Sequence, residues 1–167
     1  MISLQVFSMA GRFGLRFLTL SGLLVLAACA GGQRQATPCL SGTPTDLSCV
    51  PYARDVSGID LHGDAYLWWR EAAGVYPRSH IPQIDAVLVL KPHGLMSVGH
   101  VAVVTAVRSN REILVTQANW VPGRIERNVP VVDVSRLNNW SYVRVWYAPI
   151  QALGNTVYPA YGFILPN

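Results

Sequence analysis

Four side chains in this sequence have types and an order that could do covalent chemistry: Cys49, His100, Gln117 and Asn119. Cys49 stands in "LSCVPYARDVSG", residues 47–58, where Ser48 offers an N-cap, Pro51 suits a first turn and Gly58 stops a helix. A thiol attacks as its thiolate. A helix N-terminus favours that anion, and its unpaired N–H groups can receive the oxyanion of a tetrahedral intermediate. Such a nucleophile needs a base. Of the four histidines, His62, His80 and His93 fall in connections, whereas His100 opens the apolar run "GHVAVV" directly after Gly99. There its ring can face a helix terminus packed across that end of a sheet. A third group must then fix the tautomer of the imidazole. "LVTQANW" supplies Asn119 at the end of the following strand, with Gln117 two residues earlier on the same face. Trp120 beside them could shield the bond from water.

Each of these residues also has an ordinary reading. Free cysteines commonly pack in cores. Cys49 could equally bridge to Cys39, and spacing alone does not exclude that disulfide. A histidine at a strand start is more often structural than catalytic, and "NWVPG" is a turn in which asparagine is routine. Metal has weaker support still: there is no H-E-x-x-H, and no Cys or His pair at ligand spacing in the domain. The chemistry needs neither metal nor organic cofactor.

The elements around these residues read as helices first and strands afterwards. A second helix is expected over "GDAYLWWREAAG", with Asp64 as N-cap, Gly74 as C-terminal glycine, and Ala65, Trp68 and Ala72 on one buried face. Runs rich in Val and Ile follow at 85–90, 100–107, 112–117, 129–134 and 142–148, separated by the turn signals "KPHG", "RSNR", "VPGR" and "LNNW". Short connections favour antiparallel pairing. The fold class is therefore α+β, with N-terminal helices packed on a mainly antiparallel sheet of about five to six strands. The tail, residues 149–167, has no clear period and is expected to fold back on the domain.

Half of the 167 residues are hydrophobic (51%) and 13% are charged, which suits one domain with a sizeable core. The formal net charge is +4, but Arg12 and Arg16 lie in the first 28 residues, where no acidic residue does. No Lys/Arg cluster remains to track a phosphate backbone, so nucleic acid is a poor partner. Residues 17–28, "FLTLSGLLVLAA", are too few to span a bilayer and read as an export signal. "LAAC", Leu26 to Cys29, resembles a bacterial lipoprotein signal, in which Cys29 would be acylated and become the new N-terminus. An ordinary secretory signal cut after Ala30 is the alternative. On this reading residues 1–28 are a signal peptide, 29–46 a flexible Gly/Thr/Pro-rich tether, 47–148 the domain and 149–167 its tail.

Taken in order, a cysteine opening the first helix, "GHVAVV" on the second strand and "QANW" closing the third resemble the CHAP family of cysteine amidase/peptidases. "CVPYAR", "GDAYLWWREAAG" and "IPQIDAVLVL" echo its cysteine helix, second helix and proline-led first strand. The resemblance covers residues 47–148. It implies a papain-like fold, catalytic Cys49 and His100, an orienting polar residue at Asn119, and a peptidoglycan peptide as substrate. Many members carry a Glu where this chain has Gln117, and a Gly where it has Ile84 before Asp85. Membrane contact would come through the N-terminal lipid on Cys29, in the periplasm and at the outer membrane of a Gram-negative cell; no protein partner is legible. Two other classes fit the same residues: a non-catalytic envelope lipoprotein that binds peptidoglycan or a partner, and an acyltransferase on lipids.

The anchor is directly testable. Cells fed a labelled fatty acid should label the wild-type protein and not Cys29→Ser; equal labelling of both excludes Cys29 as the acylated residue.

Overall fold

The structure, a computed structural model, describes residues 47–167. The expected signal, tether, Cys29 and Cys39 lie outside the described residues.

Helix α1 runs Cys49–Ser57. Ser48 is its N-cap in extended conformation (φ −130°), although its hydroxyl caps no helix N–H. Gly58 ends the helix in the left-handed conformation (φ 73°) and donates its N–H to Arg54 O at 2.9 Å. The second helical segment is shorter than expected. A 3₁₀ turn, Ala65–Leu67, leads into a single-turn helix α2, Trp68–Glu71. Tertiary contacts override the local pattern here: Tyr66 gives its backbone N–H to Val98 O at 3.1 Å, which docks the segment beside Gly99. The expected face survives, since Ala65, Trp68 and Ala72 are all buried.

Eight strands follow: β1 Arg78–Ser79, β2 Val87–Leu90, β3 His100–Val107, β4 Glu112–Ala118, β5 Ile125–Asp133, β6 Tyr142–Tyr147, β7 Ala152–Leu153 and β8 Tyr158–Ile164. The five expected strands are β2 to β6. Every pairing is antiparallel. β8 pairs with β2 on one side and with β6 on the other, so β8-β2-β3-β4-β5-β6 closes on itself as a six-stranded barrel. Closure removes the exposed edges an open sheet would leave.

Period-two alternation sorts the strand residues into two clusters. Leu88, Leu90, Ala102, Val104, Ile113, Val115, Val131, Val143, Val145, Ala160 and Phe163 fill the barrel, with Trp140 edge-on to Phe163. The opposite face of β2 and β3 (Val87, Val89, Val101, Val103) joins Ile164, Ala53, Ile59, Leu61, Ala65, Trp68 and Ala72 in a second cluster. β2 is buried on both faces, which explains its unbroken apolar run.

Residues 149–167 thus contain the strand that closes the barrel. Pro159 and Gly162 interrupt its alternation and hid it from sequence reading. Gly162 has φ 134° and sits where β8 shifts register against β2. A Cβ there would lie 2.6 Å from Ser79 O and 3.0 Å from the Trp69 ring, so only glycine fits. Gly162→Ala should lower the free energy of unfolding by at least about 1–3 kcal/mol, the usual cost of such backbone strain, read by urea denaturation. An unchanged midpoint would show that β8 is not held there.

Candidate functional site

The site forms where β3 begins and β4 ends. Gly99 fixes the entry to β3. Its φ is 71°, and a Cβ would come within 2.6 Å of Leu90 O and 3.1 Å of Tyr66 N. That close approach delivers His100 as the first residue of β3, opposite Leu90 and 5% exposed.

His100 Nε2 lies 3.1 Å from Gln117 Oε1. An amide oxygen only accepts, so this bond places the proton on Nε2 and leaves the lone pair of Nδ1 available as a base. Gln117 is itself 1% exposed, and its Nε2 donates to Glu126 Oε2 at 3.3 Å. The sequence had assigned the orienting contact to Asn119, and here the structure differs. β4 ends at Ala118, and Asn119 turns away with φ 60°. Its N–H goes to Arg124 O (2.7 Å) and its Oδ1 accepts from Gly123 N–H (3.0 Å), so it closes the "NWVPG" turn, exposed to solvent. Gln117 and Asn119 share a face only while the strand continues. The strand stops between them.

Cys49 is the first residue of α1, half-buried against the second cluster, and a free thiol. Hydrogen bonding from the backbone of Val101, the residue after His100, from the backbone of Cys49 and Val50 and from the Ser48 side chain favours its thiolate. Burial pushes the thiol above its ordinary value, and those hydrogen bonds pull it part of the way back. The depressed thiol expected at a helix start is not found: loss of water outweighs the hydrogen bonds. Burial also lowers His100, from 6.5 to about 4, against the opposing effect of its bond to Gln117. The Cys49 thiol and the His100 imidazole both rest neutral.

Two further contacts hold the parts together. Tyr52, one turn along α1 from Cys49, shares a 2.7 Å hydrogen bond with Thr116 on β4, and Thr116 Oγ1 donates to Glu126 O at 3.1 Å. Helix α1 is thereby pinned to the strand that carries Gln117. Trp120 lies edge-on to His100 (centroids 5.0 Å apart) and Tyr158 lies edge-on to Trp120 (5.0 Å), so aromatic rings cover the imidazole. The Trp120 position was legible in "QANW". Tyr158 and Glu126 were not: the first sits in the aperiodic tail, the second between Arg124 and Arg127 in what looks like a solvated face. The other histidines lie elsewhere: His62 against Asp60 and Arg54, His80 against Trp69, and His93 against Tyr158. Among the described residues no group of three or more His, Cys, Asp or Glu could hold a metal ion.

The CHAP domain family model matches residues 40–119. Those residues are similar to a CHAP domain. The match takes in Cys49, His100, Gln117 and Asn119 and ends before Glu126. A solved structure described as an N-acetylmuramoyl-L-alanine amidase from Staphylococcus aureus resembles this chain with a TM-score of 0.47 and 23% identity. That likeness covers 59% of this chain and 29% of the amidase chain. No curated protein matches.

The buried imidazole of His100 sets a pH dependence of stability. Unfolded, His100 takes up a proton near 6.5; folded, only near 4. Between these values the unfolded chain binds more protons, so the contribution is complete above pH 6.5 and is lost as pH falls toward 4. The loss should reach up to about 3 kcal/mol. Urea unfolding of wild type and His100→Asn across this range checks it: the variant should lack that part of the slope, and parallel curves would refute a buried neutral ring.

Proposed function

We propose that this chain is a cysteine-dependent hydrolase of peptidoglycan amide bonds, either an N-acetylmuramoyl-L-alanine amidase or a peptidoglycan endopeptidase. On this reading it is exported, anchored through a lipid on Cys29 and held at the periplasmic face of an outer membrane. The observation that carries the chemistry is the His100 Nε2–Gln117 Oε1 bond, which leaves the lone pair of Nδ1 free; on this reading that nitrogen serves the Cys49 thiol. The similarity to a CHAP domain supports the substrate class.

Nδ1 of His100 takes the proton from Cys49 as its sulfur attacks the amide carbonyl carbon. The backbone N–H groups of Cys49 and Val50, at the open start of α1, hold the oxyanion. The tetrahedral intermediate collapses with cleavage of the C–N bond, and the proton on Nδ1 goes to the departing amine. Water, deprotonated at the same nitrogen, then hydrolyses the thioester and frees the thiol. Because thiol and imidazole both rest neutral, proton transfer accompanies attack and no standing ion pair is required. Aromatic cover by Trp120 keeps the His100–Gln117 bond out of water.

A second reading, a binding protein that retains the fold, draws on two observations: the thiol is raised by burial, and Gln117 brings no charge to the ring. One experiment separates the two. Purified peptidoglycan digested with the protein and analysed by mass spectrometry should release peptides from wild type and none from Cys49→Ala. Gln117→Ala should lower turnover at least roughly tenfold, about 1.4 kcal/mol of barrier, whereas Asn119→Ala should change it little. Intact peptidoglycan that co-sediments with wild type would favour the binding protein. Loss of turnover with Asn119→Ala alone would return the orienting role to that residue.

A further inference from the structure

We infer that Glu126 is a positioning residue for the His100 base, acting through the amide of Gln117. The inference rests on the hydrolase reading for its meaning in turnover, and on geometry for everything else. A glutamine amide has two ends of nearly equal size and opposite hydrogen-bonding character. With the oxygen toward His100, Nε2 carries the proton and Nδ1 can accept one from the thiol. Turned over, the NH₂ would donate to Nε2, the ring proton would sit on Nδ1, and no base would face the thiol. Gln117 alone does not choose between these arrangements. Glu126 does: its carboxylate oxygens accept and do not donate, so the NH₂ end of Gln117 turns to Oε2 of Glu126 and the oxygen turns to the ring.

The backbone is built to bring this carboxylate in. Val115 pairs with Val129, but Gln117, two residues on, pairs with Glu126, three residues back. β5 therefore carries one extra residue, at a bulge where Asn128 adopts φ 55°. Without the extra residue Arg127 would stand opposite Gln117. With it, Arg127 is exposed and Glu126 is 8% exposed on the inner face. Structural need does not explain the arrangement. Among the described residues the carboxylate makes one side-chain hydrogen bond, to Gln117, and its Oε1 has no partner at all. A buried carboxylate so thinly satisfied costs stability rather than supplying it. Where members of this family carry a Glu, this chain has an amide, and the carboxylate sits one strand further away.

Nitrogen-15 NMR of the His100 ring at pH 7 reads the tautomer directly and needs no turnover. The wild type should show the Nε2–H form. Glu126→Gln keeps the shape but offers Gln117 a donor as well as acceptors, so the ring should populate both tautomers. Its kcat on peptidoglycan peptides should fall roughly tenfold with KM within about twofold, because the thiol and the substrate contacts stay in place. The exchange Gln117→Glu with Glu126→Gln restores one order of donors and acceptors, since the new carboxylate accepts from both the ring and the new amide. It should return the Nε2–H form and most of kcat, which also guards against Glu126→Gln failing to fold. A single unchanged tautomer in Glu126→Gln, or an exchange variant that stays mixed, overturns the inference. A wild type without turnover whose tautomer still switches supports the positioning role and sinks the hydrolase reading instead.

Discussion

The amide of Gln117 meets the ring of His100 because β3 and β4 hold their backbones in fixed register, and Glu126 reaches that amide because β5 bulges beside them. Backbone pairing across three strands thus decides which side chains converge at this end of the barrel. The same ladder carries Thr116 on its other face, where Tyr52 ties it to α1. One set of main-chain bonds therefore sets His100, the amide that orients its ring and the placement of α1. A slip of one residue would exchange faces along a whole strand and dissolve the arrangement.

Dryness is the second condition. His100, Gln117 and Glu126 are all nearly inaccessible, and Cys49 is half-covered. In such a setting each hydrogen bond is strong and each uncompensated charge is costly. The imidazole is neutral for that reason, and a neutral amide is a suitable partner for it. A carboxylate in direct contact would pull the ring toward its charged form. Setting the carboxylate one residue further away keeps directional control of the ring while weakening that pull.

Much of this was legible from residue types and order. β3 appears with its expected bounds, and its first five residues, His100 to Val104, are buried on both faces. Cys49 does open a helix closed by Gly58. What failed did so for identifiable reasons. Asn119 and Gln117 have the same parity, and only the positive φ at residue 119 reveals that the strand has ended. Glu126 changes faces through a bulge that no pattern in "RIERNV" announces. β8 was obscured by Pro159, which interrupts its alternation, and by the Gly162 that its register shift requires. The second helix was overstated because an aromatic segment docked on its neighbours does not keep the turn its propensity suggests.

Closure of the barrel by β8 also orders events in time. β2 and β6 each need residues 158–164 as a neighbour, so the cylinder stays open until the end of this stretch has been made and docked. Pairing between segments some seventy residues apart carries a loop-closure cost and slows folding relative to local structure. Cys49 lies near the beginning of the described chain, in a nine-residue helix that is made before the strands it packs on. His100 gains its dry surroundings only later, when Tyr158 comes to rest against Trp120. A nascent or truncated chain thus carries the Cys49 thiol before the barrel that half-buries it exists.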